Sequence, residues 1–185
     1  MTEKPAFPPY PQPQGLAYAP PHPPLKPPPI APDGRPLAGF GGRFVAKLID
    51  NVVVIVGIVV GFLPFLGLGS LVSDNDSLLP VIMIVGIVIV ALGVPYLYDV
   101  EYAWRRGGQT LGKRAMKMAI VPLQPGAPLT RAAMAKRWGV AVLFNVLASC
   151  YIGYLDPLWM LWDKPYRQCL HDKAAGTTVV LVPPA

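Results

Sequence analysis

The chain has 185 residues, of which 53% are hydrophobic and only 14% are charged, and its formal net charge at pH 7 is +6. Ordinary globular domains carry about a quarter charged residues, so this balance argues against a soluble protein and indicates a membrane protein. The basic residues flank apolar segments, where attraction to anionic lipid headgroups explains them. Membrane lipids are therefore expected partners, and nucleic acid is not.

Residues 1–37 are rich in proline, with runs such as Pro27–Pro29. Proline fixes φ and has no backbone N–H donor, so we expect a disordered cytoplasmic tail instead of helix or sheet. Two roles remain open for this tail: a solvated linker, or a polyproline II segment that docks on a partner protein. The remaining residues, 38–185, are expected to form one membrane domain.

Residues 44–68 are predicted to form the first membrane-spanning helix, because the nearly unbroken apolar run from residue 52 gives it the length that a bilayer requires. Asp50 lies inside this helix, on the same face as Arg43 and Lys47. An ionised carboxylate exposed to lipid costs about 3 kcal/mol or more. We therefore expect Asp50 to pair with Arg43, Lys47 or a basic residue of the cytoplasmic connection.

The first span also contains two glycines spaced for close helix packing, Gly57 and Gly61. They predict either a seam between two copies of the chain, and hence a homo-oligomer, or packing within one chain. Pro64 and the two glycines that follow it are expected to end the helix near a short loop over residues 70–77.

A second span is predicted over residues 78–98, followed by an aromatic belt. The loop between the two spans has no Lys or Arg, whereas the connection after the second span is strongly basic. The positive-inside rule places that connection and the N-terminus in the cytoplasm, which predicts a multi-pass protein of the plasma (bacterial inner) membrane. The basic residues of the connection are Arg105, Arg106, Lys113, Arg114, Lys117, Arg131, Lys136 and Arg137.

The third apolar segment, residues 138–162, is long enough to cross the membrane but contains Asp156 followed by proline, which should break a helix. If it crosses, the C-terminus lies outside. If it bends near residues 151–157, the chain returns to the cytoplasm, and the β-branched run 177–182 can pair with the run 117–123.

The predicted fold class is an all-α membrane protein. It consists of a small helical bundle of two full spans plus a third span or a bent helical hairpin, together with a short cytoplasmic β-pair if the segment bends. We favour the bent form because it agrees with the positive-inside rule.

Three motifs in order resemble the RDD family of small integral membrane proteins, named for one arginine and two aspartates: Arg43 with Asp50, the stretch 108–114, and His171-Asp172 followed by Ala-Gly-Thr. The resemblance covers residues 38–182, and the proline-rich tail resembles those of actinobacterial members. The resemblance to the RDD family implies that Arg43, Asp50 and Asp172 are the residues for which the family is named, and that the fold is a helical membrane fold. Supporting motif residues are Gly108, Gln109, Thr110, Gly112, Lys113, His171, Gly176 and Thr177.

Other motif readings are weaker. Gly107 to Lys113 has the spacing of a phosphate-binding loop, but Arg114 replaces the Ser or Thr that would hold magnesium. We expect a tight turn with Lys113 and Arg114 on lipid phosphates. Asp163 is expected to pair with the nearby Lys164 and Arg167. Cys150 and Cys169 are interpreted as free thiols, and neither a metal site nor a cofactor is predicted.

The preferred function is a non-enzymatic accessory or scaffold protein that docks on a membrane complex, for example a respiratory one, or recruits partners to it. The alternative is a cation or proton-coupled transporter acting as an oligomer, in which Asp50 binds the ion; the RDD resemblance adds that cation transport has been proposed for some members. An enzyme is not expected, because no nucleophile or metal constellation is recognisable.

Overall fold

The computed structural model describes residues 29–71, 78–147, 153 and 155–183. Its two long helices are α1, Phe40–Leu71, and α2, Leu78–Tyr96. By length and composition both can cross a membrane, and the second apolar helix continues to Arg105. The predicted small helical membrane fold with two spans is confirmed. The predictions for residues 1–28, for most of the loop between the spans and for Cys150 lie outside the described residues.

The part of the two helices over residues 52–71 and 78–96, here called the apolar hairpin, buries few side chains. Its helices meet at glycines: a Cβ added at Gly57 would lie 2.8 Å from Val94, and one at Gly61 would lie 3.2 Å from Val90. Of the two interpretations of this glycine pair, the structure supports packing within one chain.

Helix α1 continues through Pro64 and ends at Leu71, at the start of the loop predicted over residues 70–77. Helices in a membrane tolerate proline when neighbouring helices cover the freed backbone groups. In the last turns, Gly69 lies against Met83 and Leu79 of α2. The glycine expected to terminate the helix therefore brings the two helices together.

A chain of short elements follows α2. A π-helix, Leu97–Tyr102, leads into α3, Ala103–Arg105, and then into α4, Leu111–Ala115. Strand β1, Met118–Pro122, comes directly after α4. Helix α5, Arg131–Leu147, follows Thr130, whose hydroxyl accepts a hydrogen bond from the Ala133 N–H.

The third apolar segment is bent. Beyond α5 lie α6, Leu155–Leu158, a 3-10 turn, Trp159–Leu161, and α7, Leu170–Ala175. Strand β2, Thr177–Leu181, pairs antiparallel with β1. The predicted β-pair is thereby confirmed, and the pairing returns the chain to the side of β1. Residues 148–152 and 154, where part of the bend was predicted, lie outside the described residues.

The tail boundary predicted at residue 37 lies inside a packed segment. Ala31, Leu37 and Ala38 are buried, and Leu37 forms a bridge with Val180 on the free edge of β2. The Pro36 carbonyl accepts from the Leu181 N–H at 2.8 Å. Proline cannot donate to a strand, but its carbonyl still accepts, which is why a proline-rich segment can end in sheet pairing.

The hydrophobic core lies around the sheet and not between the two spans. This region, comprising residues 29–51, 97–147 and 155–183, is here called the base. Tyr96, at the edge of the hairpin, packs edge-to-face on Trp138 of α5 at 5.3 Å. The buried apolar residues of the core are Ala38, Ala46, Val100, Ala103, Met118, Ile120, Met134 and Val179.

Candidate functional site: two buried carboxylates

The first centre of the base is Asp50, whose carboxylate is 1% exposed. The Tyr98 hydroxyl donates to its Oδ1 at 2.7 Å, and the Gly112 N–H donates to the same oxygen at 2.7 Å. The Thr110 hydroxyl donates to Oδ2 at 2.6 Å. Asp50 thus joins α1 to the π-helix and to the start of α4.

The basic partner of Asp50 is Lys113, whose Nζ lies 3.6 Å from Oδ2. Arg43 and Lys47 pair elsewhere, with Asp172 and Asp99. Burial lowers the pKa of Lys113 to about 8. Lys113 points inward, so its predicted contact with lipid phosphates is wrong: α4 packs on α1 and carries this side chain into the protein.

The glycines of the 108–114 motif allow this close packing. A Cβ at Gly112 would overlap the Ala46 carbonyl oxygen of α1, and a Cβ at Gly108 would overlap the Ile120 carbonyl oxygen. Gly108 also has a φ of +84°, which favours glycine. The Gln109 amide donates to the Met118 carbonyl at 3.0 Å. The motif is therefore a structural turn that presents Thr110 and Gly112 to Asp50.

The second centre is Asp172, which is fully buried. Arg43 donates to its Oδ2 at 3.0 Å, and Arg137 donates to its Oδ1. The Cys169 N–H also donates to Oδ2, at 3.1 Å. Asp172 therefore joins the start of α1, the start of α5 and α7 in one ion triad.

His171 lies between two carboxylates. Its Nδ1 is 2.6 Å from Asp156 Oδ2, and its Nε2 is 3.4 Å from Asp172 Oδ1. Burial, followed by the charge of Arg137, lowers the pKa of His171 to about 4. The imidazole is accordingly neutral at pH 7, and the charge of Asp172 is balanced by Arg43 and Arg137.

The remaining motif residues close this second centre. Gly176 ends α7 with a φ of +62°, a conformation that glycine adopts without strain. Thr177 follows, and its hydroxyl lies 3.2 Å from Arg137. The structure therefore brings the predicted residues into two adjacent groups, one around Asp50 and one around Asp172. Arg43 contacts Asp172 and not Asp50.

Sequence reasoning missed Arg137, Tyr98 and Asp156 as members of these groups. Arg137 was counted only as a topogenic charge, Tyr98 only as part of the aromatic belt, and Asp156 only as a helix breaker. The available signal was an ionisable residue beside or within an apolar segment, which is costly unless it is paired. Asp163 was also assigned wrongly, since its side chain pairs with Lys173 and accepts from the Gln168 N–H.

Cys169, His171 and Asp172 offer three potential metal ligands whose atoms lie within 4.8 Å of one another. The spacing of these residues in the sequence had not indicated a metal site. The surroundings disfavour a cation, however, because two arginines already occupy the Asp172 oxygens. Burial also raises the pKa of the Cys169 thiol, which disfavours the thiolate that a metal requires.

A cavity of about 560 Å³ lies beside both centres, between α1 and α5. Its walls are mostly apolar, with Phe44 and Trp138 among them. Its charged lining includes cations and carboxylates of both centres: Arg43, Lys47, Asp99, Lys113, Arg137 and Asp156.

The model of the RDD family matches residues 37–176. This range contains both carboxylates and every predicted motif residue except Thr177. No curated protein and no solved structure matches the chain.

Proposed function

Since the chain belongs to the RDD family of membrane proteins, we propose that it is a non-enzymatic accessory protein of a membrane complex. The supporting observation is the saturation of both central carboxylates. Each oxygen of Asp50 and Oδ2 of Asp172 has two donor or cationic neighbours, and Oδ1 of Asp172 is paired with the buried Arg137. Groups paired in this way hold chain segments together, whereas an ion carrier or a reacting group needs a free position.

The partners we propose are other membrane proteins, and a larger assembly such as a respiratory complex is one candidate. The apolar hairpin supports this, because its outer face exposes many Val, Ile and Leu side chains to lipid or to neighbouring helices. Partner helices can pack there without disturbing the charged base. A homo-oligomer is a further proposal on the same surface.

We place the protein in the plasma membrane, crossing it more than once, with the N-terminus and the base in the cytoplasm. The basic residues concentrate in the base, as the positive-inside rule requires of a cytoplasmic side. In intact cells, a cysteine replacing Ser73 should react with an impermeant thiol reagent, and one replacing Lys136 should not. The reverse labelling pattern would overturn the orientation.

The experiment that tests the accessory role is recovery of the full chain in a gentle detergent, followed by mass spectrometry of what copurifies. The proposal expects one membrane complex in a fixed ratio to the chain. Recovery of the chain without a partner, when the chain is expressed at its natural level, would contradict the accessory role.

The matched control for this experiment is a shortened chain. Deleting residues 2–28 should leave the base intact, because the pairing with β2 begins only at residues 29–38. Deleting residues 2–38 should destabilise the base. Loss of the partner with the shorter deletion assigns docking to the tail, and retention assigns docking to the membrane domain.

Transport is the second candidate, and the cavity of about 560 Å³ with ionisable walls favours it. Proteoliposomes containing the wild-type chain and the Asp50→Asn variant distinguish the two functions. A cation flux in the wild type that disappears in a stable, inserted variant would support transport. Absence of flux together with loss of stability in the variant supports the accessory role.

A further inference from the structure

A second pocket, of about 470 Å³, opens on the surface of the base. Three of its lining residues are the cations Arg106, Arg114 and Lys117. Among the described residues, no carboxylate oxygen lies within 4 Å of a nitrogen of these side chains. By contrast, the neighbouring Arg105 pairs with Glu101. Within the part of the chain that the structure describes, the pocket therefore has three positive charges and no carboxylate paired with them.

An aromatic contact holds the Arg106 side chain, and hydrogen bonds hold the backbone of Arg114 and Lys117. The Arg106 guanidinium lies over the Tyr102 ring, 5.6 Å from its centre. Lys117 has a φ of +54°, which a residue other than glycine rarely adopts. Its N–H donates to the Arg114 carbonyl at 3.0 Å, and its carbonyl accepts from the Val182 N–H at 2.8 Å. A lysine thus stands where glycine would fit the backbone better, which suggests a role for its side chain.

Favourable interaction with helix C-termini is the simpler explanation for two of the three cations. Arg106 caps α3, and Arg114 lies in the last turn of α4. That explanation does not cover Lys117, which lies outside both helices. It also does not explain why all three side chains line the same pocket.

The pocket lies beside the end of the second apolar helix. Its wall includes Tyr102, near the C-terminal end of the second apolar helix, which ends at Arg105. Trp104, beside it, has the residue type that favours the headgroup region of a membrane. A guanidinium fork matches phosphate oxygens, and lysine adds a point charge. We propose that this pocket binds the phosphate headgroup of an anionic phospholipid.

The test uses the purified full chain in a mild non-ionic detergent, to which phosphatidylglycerol is added. Phosphatidylglycerol should raise the melting temperature, and phosphatidylcholine should not. Combining Arg106→Gln, Arg114→Gln and Lys117→Gln should weaken the apparent affinity for phosphatidylglycerol about 100-fold, since each basic residue near an anionic headgroup contributes roughly a factor of five.

The matched control removes three exposed cations elsewhere: Lys136→Gln, Lys164→Gln and Arg167→Gln. It should keep the affinity within about twofold of the wild type, because those residues lie outside the pocket. Equal losses in both triple variants would overturn the proposal, since diffuse surface charge would then explain the binding.

Two further arms complete the test. Inorganic phosphate at the same concentration should not reproduce the rise in melting temperature. If it does, the pocket binds a free anion and the lipid assignment is overturned.

If the triple variant is recovered poorly, Arg114→Gln alone is measured, with an expected loss of affinity of about fivefold. An unchanged affinity in that single variant would also overturn the proposal. None of these outcomes depends on capture of a partner protein.

Discussion

The apolar hairpin and the base are built by different physical means. In the hairpin, the helices approach at glycines such as Gly57 and Gly86, and most Val, Ile and Leu side chains face outward. In the base, a hydrophobic core and two saturated carboxylates, Asp50 and Asp172, join distant segments. Lipid tails are as apolar as the side chains themselves, so the hydrophobic effect does not drive helices together inside a membrane. Close packing of the helices holds them together instead. Where the chain meets water, burial and ion pairing contribute.

The difference predicts where the protein is sensitive to substitution. A change in the hairpin alters contacts between two apolar helices that lipid can replace. A change at a buried carboxylate leaves charged partners without a counter-charge, which the low-dielectric interior penalises strongly. The following experiments compare the two regions, beginning with the largest expected effect.

Asp172→Asn should have the largest effect. It leaves Arg43 and Arg137 buried without their shared counter-charge, which typically lowers the free energy of unfolding by about 3 to 5 kcal/mol. The control is Asp33→Asn, which removes the more exposed pair with Arg35 and should cost less than about 1 kcal/mol. Melting temperature in detergent measures both. Similar losses for the two variants would mean that the triad does not hold the base together.

Gly112→Ala should come next. The added methyl group would overlap the Ala46 carbonyl oxygen and press on Asp50, so α4 must move away from α1. Overpacking of this kind typically costs about 1 to 3 kcal/mol. Gly139→Ala in α5 is the matched control, because among the described residues no atom outside the helix's own backbone lies within 4 Å of its added methyl group. It should be neutral or stabilising, and a control as unstable as Gly112→Ala would contradict this account.

The elements of the fold were predictable from the sequence where a single pattern determines them. Apolar length predicted both spans, and β-branched runs predicted the β1–β2 pair. Pro64 lies inside α1, which ends at Leu71 near the predicted loop, because a membrane helix tolerates proline where neighbouring helices cover the freed backbone groups. The packing of residues 29–37 on the base was not predicted, because proline content alone does not indicate that the Pro36 carbonyl accepts a hydrogen bond from Leu181.

The site could be predicted as a set of residues but not as a set of pairs. Asp50 was expected to pair with a basic residue. Only the fold determines that this residue is Lys113 and not Arg43, which is nearer to Asp50 in the sequence. Arg137 lies 35 positions from Asp172 in sequence, and no local spacing joins them. Pairing over such distances depends on how α5, α7 and α1 meet, which one sequence does not specify.

A pH series should show a smaller effect in the base. The pKa of His171 is about 4 in the folded protein because of burial and the charge of Arg137, against an ordinary value of 6.5. Between pH 6.5 and pH 4 the unfolded chain binds a proton that the folded chain does not. The free energy of unfolding should therefore fall as the pH is lowered, by at most about 1.4 kcal/mol per unit.

Melting temperatures between pH 7 and pH 5 measure this dependence. The His171→Asn variant lacks the titrating imidazole and therefore its contribution to the pH dependence. The variant should be less stable at pH 7, because it loses the imidazole contact with Asp156, but its pH slope should be shallower. An identical slope in the variant would assign the acid sensitivity to other groups.

Gly57→Ala should have the smallest effect, and it tests the hairpin directly. The added methyl group would lie 2.8 Å from a Val94 methyl, and valine in a helix has little rotamer freedom to yield. The helices must separate slightly, but lipid can fill the gap and alanine favours helix, so we expect a loss of about 1 kcal/mol or less. Gly93→Ala has open space around it and should be neutral. If Gly57→Ala instead lowered the oligomeric state with unchanged melting temperature, the glycines would form a seam between copies of the chain, and the hairpin would owe its stability to association.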